Sequence, residues 1–165
     1  MTMSPQAVLK SCFAAGAVFA LSACNTMTGD RSTHRMSHAG MDHMMGAMLT
    51  GAAEVPGPGD PGGKGLLHYK LDNKSNQLCY QLKVDGIATP TAAHIHEGAA
   101  GVAGGVVVML QTPMLDRETD TCMNIDPALA RRLMETPSSF YVNVHNAAYP
   151  NGAMRGQLMT TMHNM

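Results

Sequence analysis

The stretch Leu67-His-Tyr-Lys-Leu-Asp-Asn-Lys-Ser-Asn-Gln-Leu-Cys-Tyr-Gln-Leu-Lys-Val84 decides the fold class of this chain. On both sides of a polar segment, large apolar residues alternate with polar ones, which is the period of a half-buried β-strand. The polar segment Asp72–Asn76 consists of residues that favour turns. The pattern therefore predicts a β-hairpin whose two strands each place one face on a core.

Short apolar segments elsewhere predict further strands, near residues 48–55, 91–96, 105–111, 139–145 and 153–159. Glycine-rich and proline-rich loops separate them, at 56–63 and 98–105. One helix is predicted, with Asp126 as its N-cap, Pro127 at its first position and Glu135 near its end. Many short strands with one short helix indicate an all-β fold, a Greek-key β-sandwich or barrel.

Composition limits the classes of function. The formal net charge is −1 and no basic cluster occurs, so the sequence gives no case for nucleic-acid binding. Tryptophan is absent and aromatic residues make up 4%, so the core must consist mainly of aliphatic residues and methionine.

The first residues have the features of an export signal. Lys10 precedes an apolar run from Cys12 to Leu21, which is too short to span a bilayer as a helix. The following Leu21-Ser-Ala-Cys24 resembles a bacterial lipobox, which implies that Cys24 is lipidated and becomes the first mature residue. An ordinary secretion signal is the alternative. Asn25 is not aspartate, which favours an outer-membrane over an inner-membrane lipoprotein facing the periplasm.

The remaining chain is predicted to contain one domain with two short flanking segments. The predicted parts are a signal peptide at 1–23, a lipid-anchored flexible tether at 24–46, the β-domain at 47–160 and a tail at 161–165.

Two cysteines remain once Cys12 leaves with the signal and Cys24 carries lipid. In an oxidising compartment, Cys79 and Cys122 are predicted to form a disulfide. The alternative, a pair of metal-binding thiolates, is disfavoured because neither cysteine has a Cys-x-x-Cys companion.

The tether is rich in potential metal ligands. From residue 34 to residue 48, eight of fifteen residues are His or Met: His34, Met36, His38, Met41, His43, Met44, Met45 and Met48. Imidazole and thioether together suit copper, and thioether selects the cuprous ion. The tail repeats this bias. A secondary metal site in the tether is the prediction, and a spacer of biased composition is the alternative.

Three histidines form the main candidate site. His94 and His96 lie one residue apart in a predicted strand, so both side chains point to the same face. His145, in Tyr141-Val-Asn-Val-His145, would complete a three-histidine site from a neighbouring strand. Nitrogen ligands favour copper, zinc or iron over calcium or magnesium, and the tether makes copper the predicted metal, with zinc possible. His68 alternates outward with Lys70 and is predicted to lie at the surface.

Four segments, in this order, resemble the CHRD domain of bacterial exported proteins: Leu49–Pro56, Thr91–Gly98, Gly105–Leu110 and Tyr141–Leu158. The resemblance runs from about Met48 to Met159. It implies a β-sandwich, of superoxide dismutase-like or immunoglobulin-like type, and settles no activity.

A more distant resemblance is to copper-zinc superoxide dismutases. His94 and His96 match the His-x-His copper motif of that family, His145 matches a later copper histidine, and Arg155 matches a late arginine. The sequence has no counterpart of the histidine that bridges copper and zinc, and no cluster of zinc ligands.

These observations predict a copper-binding lipoprotein of the cell envelope that captures, buffers or delivers copper. One alternative is a copper-only, superoxide dismutase-like enzyme, in which Arg155 attracts the anion. The other is a metal-independent binding module of the envelope. The sequence predicts no particular protein partner.

Overall fold

The computed structural model describes residues 45–72 and 74–160. These residues form eight strands, β1 Met45–Thr50, β2 Lys64–Asp72, β3 Gln77–Asp85, β4 Pro90–Glu97, β5 Val106–Leu110, β6 Thr119–Asn124, β7 Phe140–Asn146 and β8 Met154–Gln157, and one helix, α1 Pro127–Glu135. Short 3₁₀ turns occupy Gly51–Ala53 and Pro137–Ser139. Within this part of the chain, no helix has the length and apolarity needed to cross a membrane.

The strands form a single antiparallel sheet in the order β5-β4-β7-β8-β1-β2-β3-β6, curled into a half-barrel. The two halves of this sheet meet where β1 pairs with β8 through Thr50 and Arg155. The chain passes from one half to the other three times, between β3 and β4, between β5 and β6, and between β6 and β7. The predicted all-β class with one short helix is confirmed.

The core fills the concave side of the curled sheet. The hairpin β2–β3 follows the predicted alternation, with Leu67, Tyr69, Leu78 and Tyr80 buried. Residues of both halves and of α1 join them in one hydrophobic cluster. Burying each large apolar side chain contributes about 1.5–3 kcal/mol, so this alternation stabilises the sheet in its curled form around the core.

The helix has the predicted bounds. The Asp126 carboxylate accepts hydrogen bonds from the backbone N–H groups of Ala128 and Leu129, both at 2.9 Å. These bonds satisfy two of the donors left free at a helix N-terminus. Leu129 and Leu133 are buried against the sheet, which fixes α1 on the core.

The first strand differs from the predicted bounds of 48–55. It begins at Met45 and ends at Thr50, because Gly51 starts a 3₁₀ turn. Gly51 packs so closely on the chain that an added Cβ would lie 1.8 Å from the Asp60 carbonyl oxygen. Because β1 begins at Met45, Met45 and Met48, which were predicted as tether ligands, are strand residues; the part of the predicted tether before Met45 lies outside the described residues.

Strand β6 was not predicted, because Thr119–Asn124 lacks an apolar alternation. It is an edge strand that pairs only with β3 among the described strands. That pairing places Cys79 directly opposite Cys122, and their sulfur atoms are bonded. The predicted disulfide is therefore present, and it fastens the edge of the sheet.

Candidate metal centre

The convex face of β4, β7 and β8 carries a layer of polar and aromatic side chains. Alternation sends the aliphatic residues of these strands into the core and the polar residues outward, namely His94, His96, Tyr141, Asn143, His145, Arg155 and Gln157. Loops cover much of this face. As a result Asn143 is 2% and Arg155 5% exposed, although both point away from the hydrophobic core.

The three predicted histidines come together in this layer. The register of β4 and β7 pairs His94 with Asn143 and Ala92 with His145, so His145 lies diagonally across from His94. Nδ1 of His94 is 3.1 Å from Nε2 of His145. One ring nitrogen from each of His94, His96 and His145 lies within 4.8 Å of the others. Because a metal–imidazole bond is about 2.0–2.1 Å long, small side-chain rotations suffice for all three to bind one ion.

Two of these rings are already oriented by the backbone. Nδ1–H of His96 donates to the Gly104 carbonyl at 2.9 Å, and Nδ1–H of His145 donates to the Pro150 carbonyl at 2.9 Å. In both rings the lone pair is thus left on Nε2, which is how histidine ligands are usually prepared for a metal. Nε2 of His96 is buried and has no hydrogen-bond partner. An unpaired buried acceptor costs about 1–3 kcal/mol, a cost that a bound ion would remove.

The protonation of His94 favours the same chemistry. Burial lowers the pKa of His94, and the neighbouring imidazoles of His145 and His96 lower the pKa further. Only the neutral imidazole can bind a metal. The cluster therefore has a neutral His94 available at neutral pH.

Tyr141 supports both His96 and the loop above it. The ring of His96 stacks on the ring of Tyr141 with centroids 4.8 Å apart and planes 7° from parallel. The Tyr141 hydroxyl accepts a hydrogen bond from the Gly104 backbone N–H at 3.1 Å. Tyr141 thereby fixes the position of the carbonyl that holds His96.

Arg155 is held by buried contacts with neighbouring residues. Its Nε–H donates to Glu54 Oε2 at 3.0 Å, in an ion pair whose side chains are 6% and 3% exposed. Its other nitrogens donate to the carbonyls of Val102 and Val55, and its Cζ lies 3.9 Å from the centroid of Tyr141. Since Glu54 neutralises the charge and the guanidinium is buried, this geometry does not support the anion-attracting role that the dismutase resemblance implied.

Other residues predicted from the sequence lie elsewhere. His68 faces outward from β2, in the other half of the sheet, and is half-buried. Met48 is exposed on β1 and Met45 is half-buried there. Cys24 and the tether ligands His34, Met36, His38, Met41, His43 and Met44 lie outside the described residues.

Sequence reasoning missed the groups that support the histidines. Tyr141 and Asn143 were detectable, because they alternate with valines and so share a face with His145; the Asn143 amide oxygen lies 3.2 Å from Nε2 of His145. Gly104 and Pro150 act through backbone carbonyls, which no side-chain pattern marks. Glu54 and its partner Arg155 are 101 residues apart in the sequence, and no local sequence pattern connects them.

Residues 45–158 match the CHRD domain family. The chain belongs to the CHRD family. The match extends from the start of β1 to the residue after β8, so the CHRD domain includes the whole sheet and all three histidines. Neither curated proteins nor solved structures provide a match to the chain. Membership identifies the domain, and the function has to be argued from the site.

Proposed function

We propose that this CHRD protein binds one transition-metal ion, preferably copper, through His94, His96 and His145. The observation that supports the proposal is the convergence of three imidazole nitrogens within 4.8 Å. Two of the rings donate Nδ1–H to backbone carbonyls, which leaves Nε2 as the ligand atom. A site whose unused nitrogens are held in this way loses little conformational freedom when the ion binds.

The donor set favours copper or zinc. Among the described residues, the cluster includes no carboxylate, and imidazole nitrogens are poor ligands for calcium or magnesium. Three histidines also suit zinc. The His/Met-rich segment from His34 to Met44, which precedes β1, favours copper over zinc in this proposal, because thioethers select the cuprous ion.

We further propose that the protein captures, buffers or delivers copper at the cell envelope. His94 and His145 are only half-buried, so an ion at the cluster can exchange with other carriers. The lipobox-like Leu21-Ser-Ala-Cys24 would anchor the chain to a membrane, with the outer membrane favoured, and the His/Met segment would collect ions beside it.

Metal analysis and copper EPR test the proposal. The mature chain is loaded with Cu(II) or Zn(II) and dialysed against a weak chelator, alongside a variant in which His34, Met36, His38, Met41, His43 and Met44 are replaced by serine. The variant should retain one copper ion per chain and the unaltered chain at least one, and the EPR spectrum of each should show nitrogen hyperfine structure.

The variant separates the competing functions. If only the unaltered chain retains copper, the ion is held by the tether and the histidine cluster is not the site. If neither protein retains a metal, the alternative of a metal-independent binding module replaces this proposal.

A further inference from the structure

A methionine lies beside the histidine cluster on the neighbouring strand. The register of β4 and β5 pairs His94 with Met109, between the pairs Ala93–Leu110 and Ile95–Val108. Val108 and Leu110 are buried in the core, so Met109 points to the opposite, convex face, which is the face of His94. Directly opposed side chains of antiparallel strands have Cβ atoms about 4.5–5.5 Å apart. Met109 is therefore the cross-strand neighbour of a proposed ligand.

The Met109 side chain is free to move. It is 72% exposed, more than any other large apolar side chain in the described part of the chain. A side chain with three rotatable bonds and so few contacts can turn toward His94 without disturbing the core.

Strand β5 borders the cluster on one side. On its other sides, His96 lies against Tyr141 and the Gly104 carbonyl, and His145 is held by Pro150. Strand β5 forms the edge of the sheet and pairs only with β4 among the described strands. On the β5 side of the cluster, Met109 is the side chain paired with His94.

We propose that the Met109 thioether is the fourth ligand of the metal centre and makes the centre selective for the cuprous ion. This inference rests on the proposed function. Three imidazoles leave one position of a tetrahedral site open, and the thioether of Met109 is placed to fill it. Because thioether sulfur is a soft ligand, it strengthens binding of Cu(I) and adds little to binding of Zn(II).

Two methionine variants test this assignment. Met109→Leu keeps the size and apolarity of the side chain and removes the sulfur. Met48→Leu is the matched control, since Met48 is also an exposed strand methionine, 51% exposed, but is paired with Leu66. Both are made in the full chain that carries serine in place of the six tether ligands from His34 to Met44.

Competition with a chromogenic Cu(I) chelator, without oxygen, measures the affinity, and a parallel titration measures Zn(II). Met109→Leu should weaken Cu(I) binding on the order of tenfold, equivalent to about 1.4 kcal/mol, with Zn(II) affinity unchanged. Met48→Leu should alter neither affinity. In spectra of ¹³C-methyl-labelled methionine, the resonance missing from Met109→Leu should shift when one equivalent of Cu(I) is added.

The outcomes distinguish the two proposals. If the unaltered cluster binds Cu(I), but Met109→Leu binds it equally well and the Met109 methyl resonance does not move, the assignment of Met109 is wrong and the three-histidine site remains. An equal loss of Zn(II) and Cu(I) affinity would also overturn Met109 as a selective ligand. If no variant with an intact cluster binds either metal, the proposed function itself fails.

Discussion

At the residue scale, His96 shows how neighbouring groups orient a proposed ligand. Its Nδ1–H is held by Gly104, its ring lies on Tyr141, and its Nε2 is left without a partner. The Gly104 carbonyl can take this position because the chain passes very close to β4. An added Cβ on Gly104 would lie 1.6 Å from the Glu97 carbonyl oxygen, which only a glycine avoids.

Replacing Gly104 by alanine should therefore weaken metal binding without removing a ligand. The new methyl group forces the loop away from β4 and breaks the hydrogen bond to His96. Losing such an outer contact typically lowers metal affinity about 10–100-fold. Gly105→Ala is the control, because an added Cβ there has nothing within 4 Å. Copper competition titrations measure both; equal affinities for the two variants would refute the role of the Gly104 carbonyl.

Arg155 and Glu54 form a second residue-scale feature, a buried ion pair. Arg155→Met should destabilise the domain by about 3–5 kcal/mol, because it leaves the Glu54 carboxylate buried and unpaired. Arg132→Met removes the exposed Arg132–Glu97 pair, whose side chains are each 47% exposed, and should cost less than about 1 kcal/mol. Urea unfolding followed by circular dichroism compares them. A similar small loss in both variants would contradict the structural role of Arg155.

At the scale of elements, the disulfide joins β3 to the edge strand β6 across a sequence separation of 43 residues. Replacing Cys79 and Cys122 together by serine should lower the free energy of unfolding by about 4 kcal/mol, according to the chain-entropy model. Copper affinity should not change, since the cluster lies on β4 and β7 in the other half of the sheet. Unfolding midpoints and copper titrations test both statements, and loss of copper binding in a folded double variant would contradict the second.

Elements with strong local signals were predictable from the sequence. The hairpin β2–β3 follows the alternation of apolar residues, and α1 follows its Asp126 cap and Pro127. Strand β6 was missed because an edge strand with polar residues lacks that alternation, and the end of β1 was misplaced because it depends on the contact between Gly51 and Asp60.

For the candidate site, the sequence predicted the three histidines but not the groups that support them. Alternation put His94 and His96 on one face, and the resemblance to copper proteins suggested His145 beside them. The carbonyls of Gly104 and Pro150, the stacking of Tyr141 and the register of Met109 depend on loop paths and strand pairing, which only the three-dimensional structure gives.

At the scale of the whole molecule, the curled sheet uses its two faces differently. The concave face forms the hydrophobic core, and the convex face of β4, β7 and β8 holds the polar layer under loops. The histidine cluster lies in that layer next to the exposed edge strand β5. The proposed exchange of an ion would require access from solvent, and the half-buried His94 and His145 would allow it.

The proposed anchoring concerns the whole molecule as well. If Cys24 carries lipid, Cys24→Ser should leave the signal uncleaved at the lipobox and prevent attachment through lipid. Membrane fractionation together with mass spectrometry of the N-terminal peptide measures both effects. A Cys24→Ser protein that matures and fractionates with membranes as before would contradict the lipoprotein hypothesis.

The central claim is that His94, His96 and His145 hold one metal ion, and the most direct measurement is the copper affinity of a double variant. His94→Ala with His96→Ala, made in the chain whose tether ligands are serine, should lose the single tightly bound copper ion while circular dichroism shows an unchanged fold. His68→Ala, which removes a half-buried histidine of β2, should keep that ion. If the double variant still binds one copper ion as tightly as the His68→Ala control, the three-histidine centre is contradicted.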